Sequence, residues 1–211
     1  IYSRGIEDRQ IFGDEEDFLK FINIMRRYVG KYEDEVVKPG FKTERLYIKR
    51  RRQVMNLHGK VEVWAYCLMP NHFHLLVRQN SIDGITKFMR RVLTAYVMYF
   101  NERYKRRGGL FEGIYRGVRV DSVRKAVLLS RHIHLNPASR VVRKFGPVET
   151  VTTSRPADYP YSSYREYLGL ETEAWIVTGP VLNEIVGGES YEEWLERTRG
   201  DDGEINELLL D

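Results

Sequence analysis

Apolar residues recur along this chain with two distinct periods. Between Asp14 and Gly30, Phe18, Leu19, Ile22, Met25 and Val29 follow at three- and four-residue steps, with acidic residues at the head. That spacing predicts a helix opened by an acidic first turn and closed by glycine. A second stripe, Ile85, Phe88, Met89, Val92, Tyr96, Tyr99 and Phe100, predicts the clearest helix, which runs into the basic loop Lys105-Arg106-Arg107-Gly108-Gly109. A third, Val123, Val127, Leu128 and Ile133, is capped by Asp121 or Ser122 and stopped by Pro137.

Elsewhere the residues are β-branched and aromatic. Val61 to Leu68 and His72 to Arg78 predict antiparallel strands turned through Met69-Pro70-Asn71. Ile1 to Arg4 reads as the end of a strand broken by Gly5, and Ile114 to Val120 as a further strand. The order is strand, helix, strand, strand, helix, strand, then an extra helix. This is an α+β arrangement, the split β-α-β pattern of a ferredoxin-like antiparallel sheet with helices on one face. Residues 31–60, charged and less periodic, are expected as a surface insertion. Pro156, Tyr159, Pro160, Tyr161 and Tyr164 suggest an aromatic wrap over the core.

Charge divides the chain. Residues 171–211 hold twelve acidic and two basic residues, net −10, which leaves +14 on 1–170 against the chain's total of +4. The expected organisation is therefore a basic domain over 1–170 with an acidic C-terminal tail. A compact body this basic usually meets a polyanion, nucleic acid being the commonest; the plainer alternative is a solvated surface balanced by its own tail. The apolar fraction of 42% can bury a core and excludes a largely disordered chain. No apolar run approaches the ~18 residues of a membrane span. The single cysteine, Cys67, fits a reducing interior, and the expected location is the cytoplasm.

The sharpest chemical signal is His72-Phe73-His74 in a predicted strand. Side chains two apart on a strand point the same way, so both imidazoles share a face and can ligate one divalent ion; a hydrogen-bonded surface pair is the alternative. His132 and Asn136 are four apart on a predicted helix and share its face. An amide oxygen at Asn136 suits a hard ion such as Mg²⁺ or Mn²⁺, although a residue before Pro137 also simply ends a helix.

The segment from Tyr66 to Val77, with Met69-Pro70-Asn71-His72-Phe73-His74 at its centre, resembles the HUH motif of the single-tyrosine transposases, especially the REP-associated tyrosine transposases. The resemblance continues through Gly109 to Arg116, Ser130 to Pro137 and Asp158 to Tyr164. It implies a nuclease that cuts and rejoins single-stranded DNA beside hairpins, acting as a monomer or homodimer. It also implies Mg²⁺ or Mn²⁺ on His72, His74 and Asn136, and a nucleophilic tyrosine one helical turn before that amide. This chain has His132 there. Three readings stay open: His132 substitutes as nucleophile or adds a ligand; Tyr115, or less so Tyr96, attacks from elsewhere; or the protein binds DNA without cutting it.

Cations flank these motifs: Arg90, Arg91, Arg103, Lys105, Arg106, Arg107, Arg116 and Arg119, mixed with aromatics. Cations for phosphates and rings for bases are the usual means of holding single strands. Arg50, Arg51 and Arg52 either grip a hairpin stem or are merely solvated. The same pattern also suits RNA.

Overall fold

The computed structural model describes residues 1–31, 56–138, 155–185 and 188–200, so most of the expected 31–60 insertion and the end of the acidic tail lie outside the described residues. Strand β1 (Tyr2–Arg4) leads into helix α1 (Glu15–Val29), followed by β2 (Val61–Met69), β3 (His72–Gln79), α2 (Gly84–Arg103) and α3 (Val123–Leu135). The strands order as β1-β3-β2, with β3 antiparallel to both neighbours. This is the split β-α-β arrangement that the order of periods predicts.

Helix α1 forms where its cap and charges favour it. The Asp14 carboxylate accepts from the Asp17 N–H, acidic residues fill the first turn, and Arg26 and Arg27 sit in the last. Its buried stripe is Phe18, Phe21, Ile24, Met25 and Val29, rotated from the expected one, so Leu19 is 45% exposed. Phe88, Met89, Val92, Tyr96 and Phe100 of α2 meet that stripe, and both helices cover one face of the sheet through Val61, Val63, Leu68, Phe73 and Leu75. The ends of the expected insertion meet beside α1, where the Asn56 amide donates to Gly30 O and Leu57 N to Tyr28 O.

One expected strand does not form. Residues 114–120 make only an isolated bridge, Arg116 to Tyr2, while Phe111 bridges Gly5. The two bridges differ in register by two residues, so the ladder is broken across Gly113 even though the segment lies where a fourth strand would. Gly5 is required at this crossing: a Cβ there would collide with the Arg9 carbonyl oxygen.

The extra helix α3 covers the opposite face, over Ala65, Cys67 and Leu76. It is backed by α4 (Tyr164–Tyr167), α5 (Gly179–Leu182) and α6 (Tyr191–Arg197), which bring Tyr164, Tyr167, Val181, Tyr191, Trp194 and Leu195 into a second core. The aromatic stretch does wrap the core. Tyr159 and Tyr167 donate their hydroxyls to Leu68 O and Trp64 O, and Leu68 N donates to Tyr161 O, which closes the outer edge of β2. His134 is fully buried on α3, with its ring nitrogens 2.8 Å from the Tyr191 hydroxyl and 2.9 Å from Ser163 Oγ. Burial pushes this imidazole down to about 3, so it is a neutral structural link. The described part of the acidic C-terminal segment is thus packed against α3 through Tyr191 and Trp194, while Trp175 joins the α1/α2 core beside Tyr66.

Candidate metal and nucleic-acid site

The alternation of β3 sends Phe73 into the α1/α2 core and turns His72 and His74 towards α3. Their rings stand 5.2 Å apart between centroids and perpendicular. On α3 the same register recurs. One helical turn rises about 5.4 Å and two strand residues about 6.6 Å, so positions 132 and 136 can each meet one histidine. They do: the His132 ring lies 5.7 Å from that of His74, and Asn136 Oδ1 lies 3.2 Å from His72 Nε2. Asn136 itself opens a 3-10 turn, Asn136–Ala138, beyond the end of α3.

The second nitrogen of His72 sharpens this contact. Nδ1 lies 2.6 Å from the Asn71 side-chain oxygen, which only accepts, so Nδ1 carries the hydrogen. In a neutral ring Nε2 then presents a lone pair to another acceptor, Asn136 Oδ1. Two facing acceptors call for a proton or a cation between them. Burial, with the positive forms of His72 and His132 adding to it, holds the His74 imidazole well below its usual range, which keeps its lone pair available. Among the described residues no three His, Cys, Asp or Glu side chains gather as a metal cluster. An ion here would rest on two imidazoles and the Asn136 amide oxygen, a donor set that fits a divalent cation.

Beside the histidines opens a cleft of about 670 Å³ between β3, the 118–122 segment and α3. Tyr2, Trp64, His74, Arg78, Arg119 and His132 are among its lining residues. Tyr2 is paired with His74 in the sheet, and their rings stack at 6.0 Å and 25°.

Comparison with known proteins adds one decisive match. Residues 22–135 fit the family model described as "Transposase IS200 like", over half of the chain and including His72, His74 and His132. The chain belongs to the IS200-like transposase family. No curated protein and no solved structure matches it. Its family is one of DNA transposases, so DNA is the substrate class and transposition the general activity.

The other candidates of this transposase are scattered. Arg116 and Arg119 flank the cleft side, Arg116 through its bridge to Tyr2. Arg90 and Arg91 sit on α2, which packs on the far face of the sheet. Lys105 and Arg107 are exposed after α2, whereas Arg106 stacks on Phe100. Arg103 is committed to ion pairs with Asp14, Glu16 and the fully buried Asp17. Arg50, Arg51 and Arg52 lie outside the described residues. Tyr115 packs against the α1/α2 core, and Tyr96 is buried there with its hydroxyl donating to Ile11 O. No helix among the described residues is long and apolar enough to cross a membrane.

Sequence reasoning missed Tyr2, Trp64 and Arg78. Tyr2 lies in a stretch read as a strand, but only the pairing of that strand with β3 brings it to His74. Arg78 lies over the Trp64 ring at 5.8 Å, a cross-strand contact with no signal in spacing.

Proposed function

We propose that this transposase binds single-stranded or hairpin DNA, such as a palindromic repeat, and cleaves and rejoins it with Mg²⁺ or Mn²⁺ held by His72, His74 and Asn136. The observation that carries the reading is the facing pair of acceptors, His72 Nε2 and Asn136 Oδ1, beside a second imidazole on the same strand face. When bound, the ion supplies Lewis-acid polarisation of the scissile phosphate. The chain does the rest. Arg119 in the cleft lining and Arg116, held beside it by its bridge to Tyr2, offer phosphate contacts.

A second reading, a DNA-binding protein that does not cut, is favoured by one observation: an imidazole, His132, stands one turn before Asn136. The test of both is incubation of the protein with an end-labelled hairpin carrying single-stranded flanks, with and without Mn²⁺. Nicked product that requires Mn²⁺ supports cleavage. Retention of the hairpin without a nick supports the second reading, and preference for the RNA form of the same hairpin overturns both.

A further inference from the structure

Cleavage with rejoining needs a nucleophile that stores the broken bond, and the candidates at 115 and 96 point elsewhere. Tyr96 is fully buried among Phe12, Phe21 and Phe111, with its hydroxyl spent on Ile11 O. Tyr115 packs against that same core. Tyr2 has the opposite placement. Its cross-strand partner is His74, and the alternation of β1 buries Ser3 while turning Tyr2 to the histidine face. The ring is partly exposed and lines the cleft that also contains His74 and His132. Two backbone hydrogen bonds, Tyr2 N to Arg116 O and Arg116 N to Tyr2 O, both 2.9 Å, pin Arg116 alongside. The Arg116 guanidinium then comes within 3.5 Å of the Tyr2 hydroxyl. A phenol oxygen, a cation able to hold a phosphate, and an imidazole stacked on the phenol ring bring together groups that attack on phosphorus uses.

We infer that Tyr2 is the nucleophile of this site, acting on the DNA phosphate that Arg116 helps to hold; the inference rests on the cleavage reading above. The step balances simply. Tyr2 Oη forms a bond to phosphorus as the bond from phosphorus to the 3′-oxygen breaks. The phenol proton passes to water, the leaving 3′-oxygen takes up a proton, and the 5′-phosphate stays on Tyr2 as a phosphotyrosyl ester. Attack of a 3′-hydroxyl on that ester reverses the step and rejoins a strand without further energy input.

The test uses the full chain, a single-stranded hairpin with flanks and Mn²⁺, with adducts resolved on a denaturing gel and mapped by peptide mass spectrometry. Wild type is expected to give a covalent DNA adduct on the peptide containing Tyr2. Tyr2→Phe, which keeps the ring on His74, is expected to lose the adduct while melting temperature and hairpin binding stay unchanged. An adduct that persists in Tyr2→Phe, or maps to residue 132 or 115, overturns Tyr2 and leaves the cleavage reading standing. Nicking without any adduct also overturns Tyr2. Hairpin binding with neither nick nor adduct in wild type overturns both.

Discussion

His72 and Asn136 meet with a ring nitrogen and an amide oxygen 3.2 Å apart, joining the start of β3 to the end of α3. Both side chains are polar and buried, at 6% and 8% exposure, so each needs the partner that this contact supplies. Replacing Asn136 by Ala, or His72 by Ala, is expected to weaken Mn²⁺ binding at least tenfold, about 1.4 kcal/mol, without unfolding the protein. Calorimetric titration of Mn²⁺ into each folded variant checks this, and an unchanged affinity for both would remove them from the ligand set.

The three helices and the β2–β3 hairpin were readable because their signals are local: a 3.6-residue stripe, a cap, a turn. What joins them was not. Tyr2 opposite His74 depends on which strand β1 chooses and in which register. Arg103 looks like a cation for DNA until Asp17, 86 positions away, is seen to hold it. The 114–120 segment has a strand's residues but not a continuous ladder, because its two bridges are out of step. That His72 and Asn136 would lie together was foreseeable from spacing and resemblance, whereas the facing of their nitrogen and oxygen depends on how α3 packs on β3.

That distinction separates the arginines experimentally. Arg119→Ala is expected to lower the slope of log affinity against log salt by about 0.7 for a single strand, the change that follows when one phosphate is no longer neutralised. Arg103→Ala should leave the slope unchanged and lower the melting temperature, since it strips the buried Asp17 carboxylate of its cation. Binding isotherms at several salt concentrations, with thermal melts alongside, check both. A smaller salt slope in Arg103→Ala would return that residue to the DNA surface.

The C-terminal segment supports α3 and therefore the site. Trp194 and Tyr191 are buried against α3, and Arg131 on α3 donates to Thr198 O. Trp194→Ala is expected to cost about 3–5 kcal/mol, the usual range for truncating a buried Trp. Removal of 171–211 should cost more, despite the negative charge it takes away. Urea denaturation checks the first. For the second, a truncated protein that melts like the full chain would show the segment to be dispensable.

Glu166 makes stability depend on pH. It is 9% exposed with Oε2 unpartnered, and burial, with Glu171 and Glu173 nearby, pushes its carboxyl up from 4.5 to about 7. Between those values the folded state holds a proton that the unfolded chain releases, so stability falls as pH rises through that window. Glu166→Gln should remove that fall. It is expected to stabilise the protein by roughly 3–4 kcal/mol at pH 8, each pKa unit being worth about 1.4 kcal/mol, and to change little at pH 4. Denaturant melts at both values check it, and an equal effect at the two would assign the change to packing.

Position 132 can be asked directly whether α3 is aimed as the geometry says. His132 faces His74 from one turn before Asn136, so a phenol placed there would project into the same cleft that Tyr2 lines. In the Tyr2→Phe background, which is expected not to form adducts, His132→Tyr should restore Mn²⁺-dependent cleavage with the new adduct on residue 132. Adding Tyr115→Phe should change nothing, because that ring packs against the α1/α2 core. Peptide mapping of the adduct separates the outcomes. A folded, hairpin-binding Tyr2→Phe, His132→Tyr protein that forms no adduct would mean that α3 does not bring residue 132 within reach of the phosphate. Loss of the restored activity on Tyr115→Phe would instead place the chemistry on the 111–116 segment, and Tyr2 and His132 would then be neighbours of the site without forming its bond.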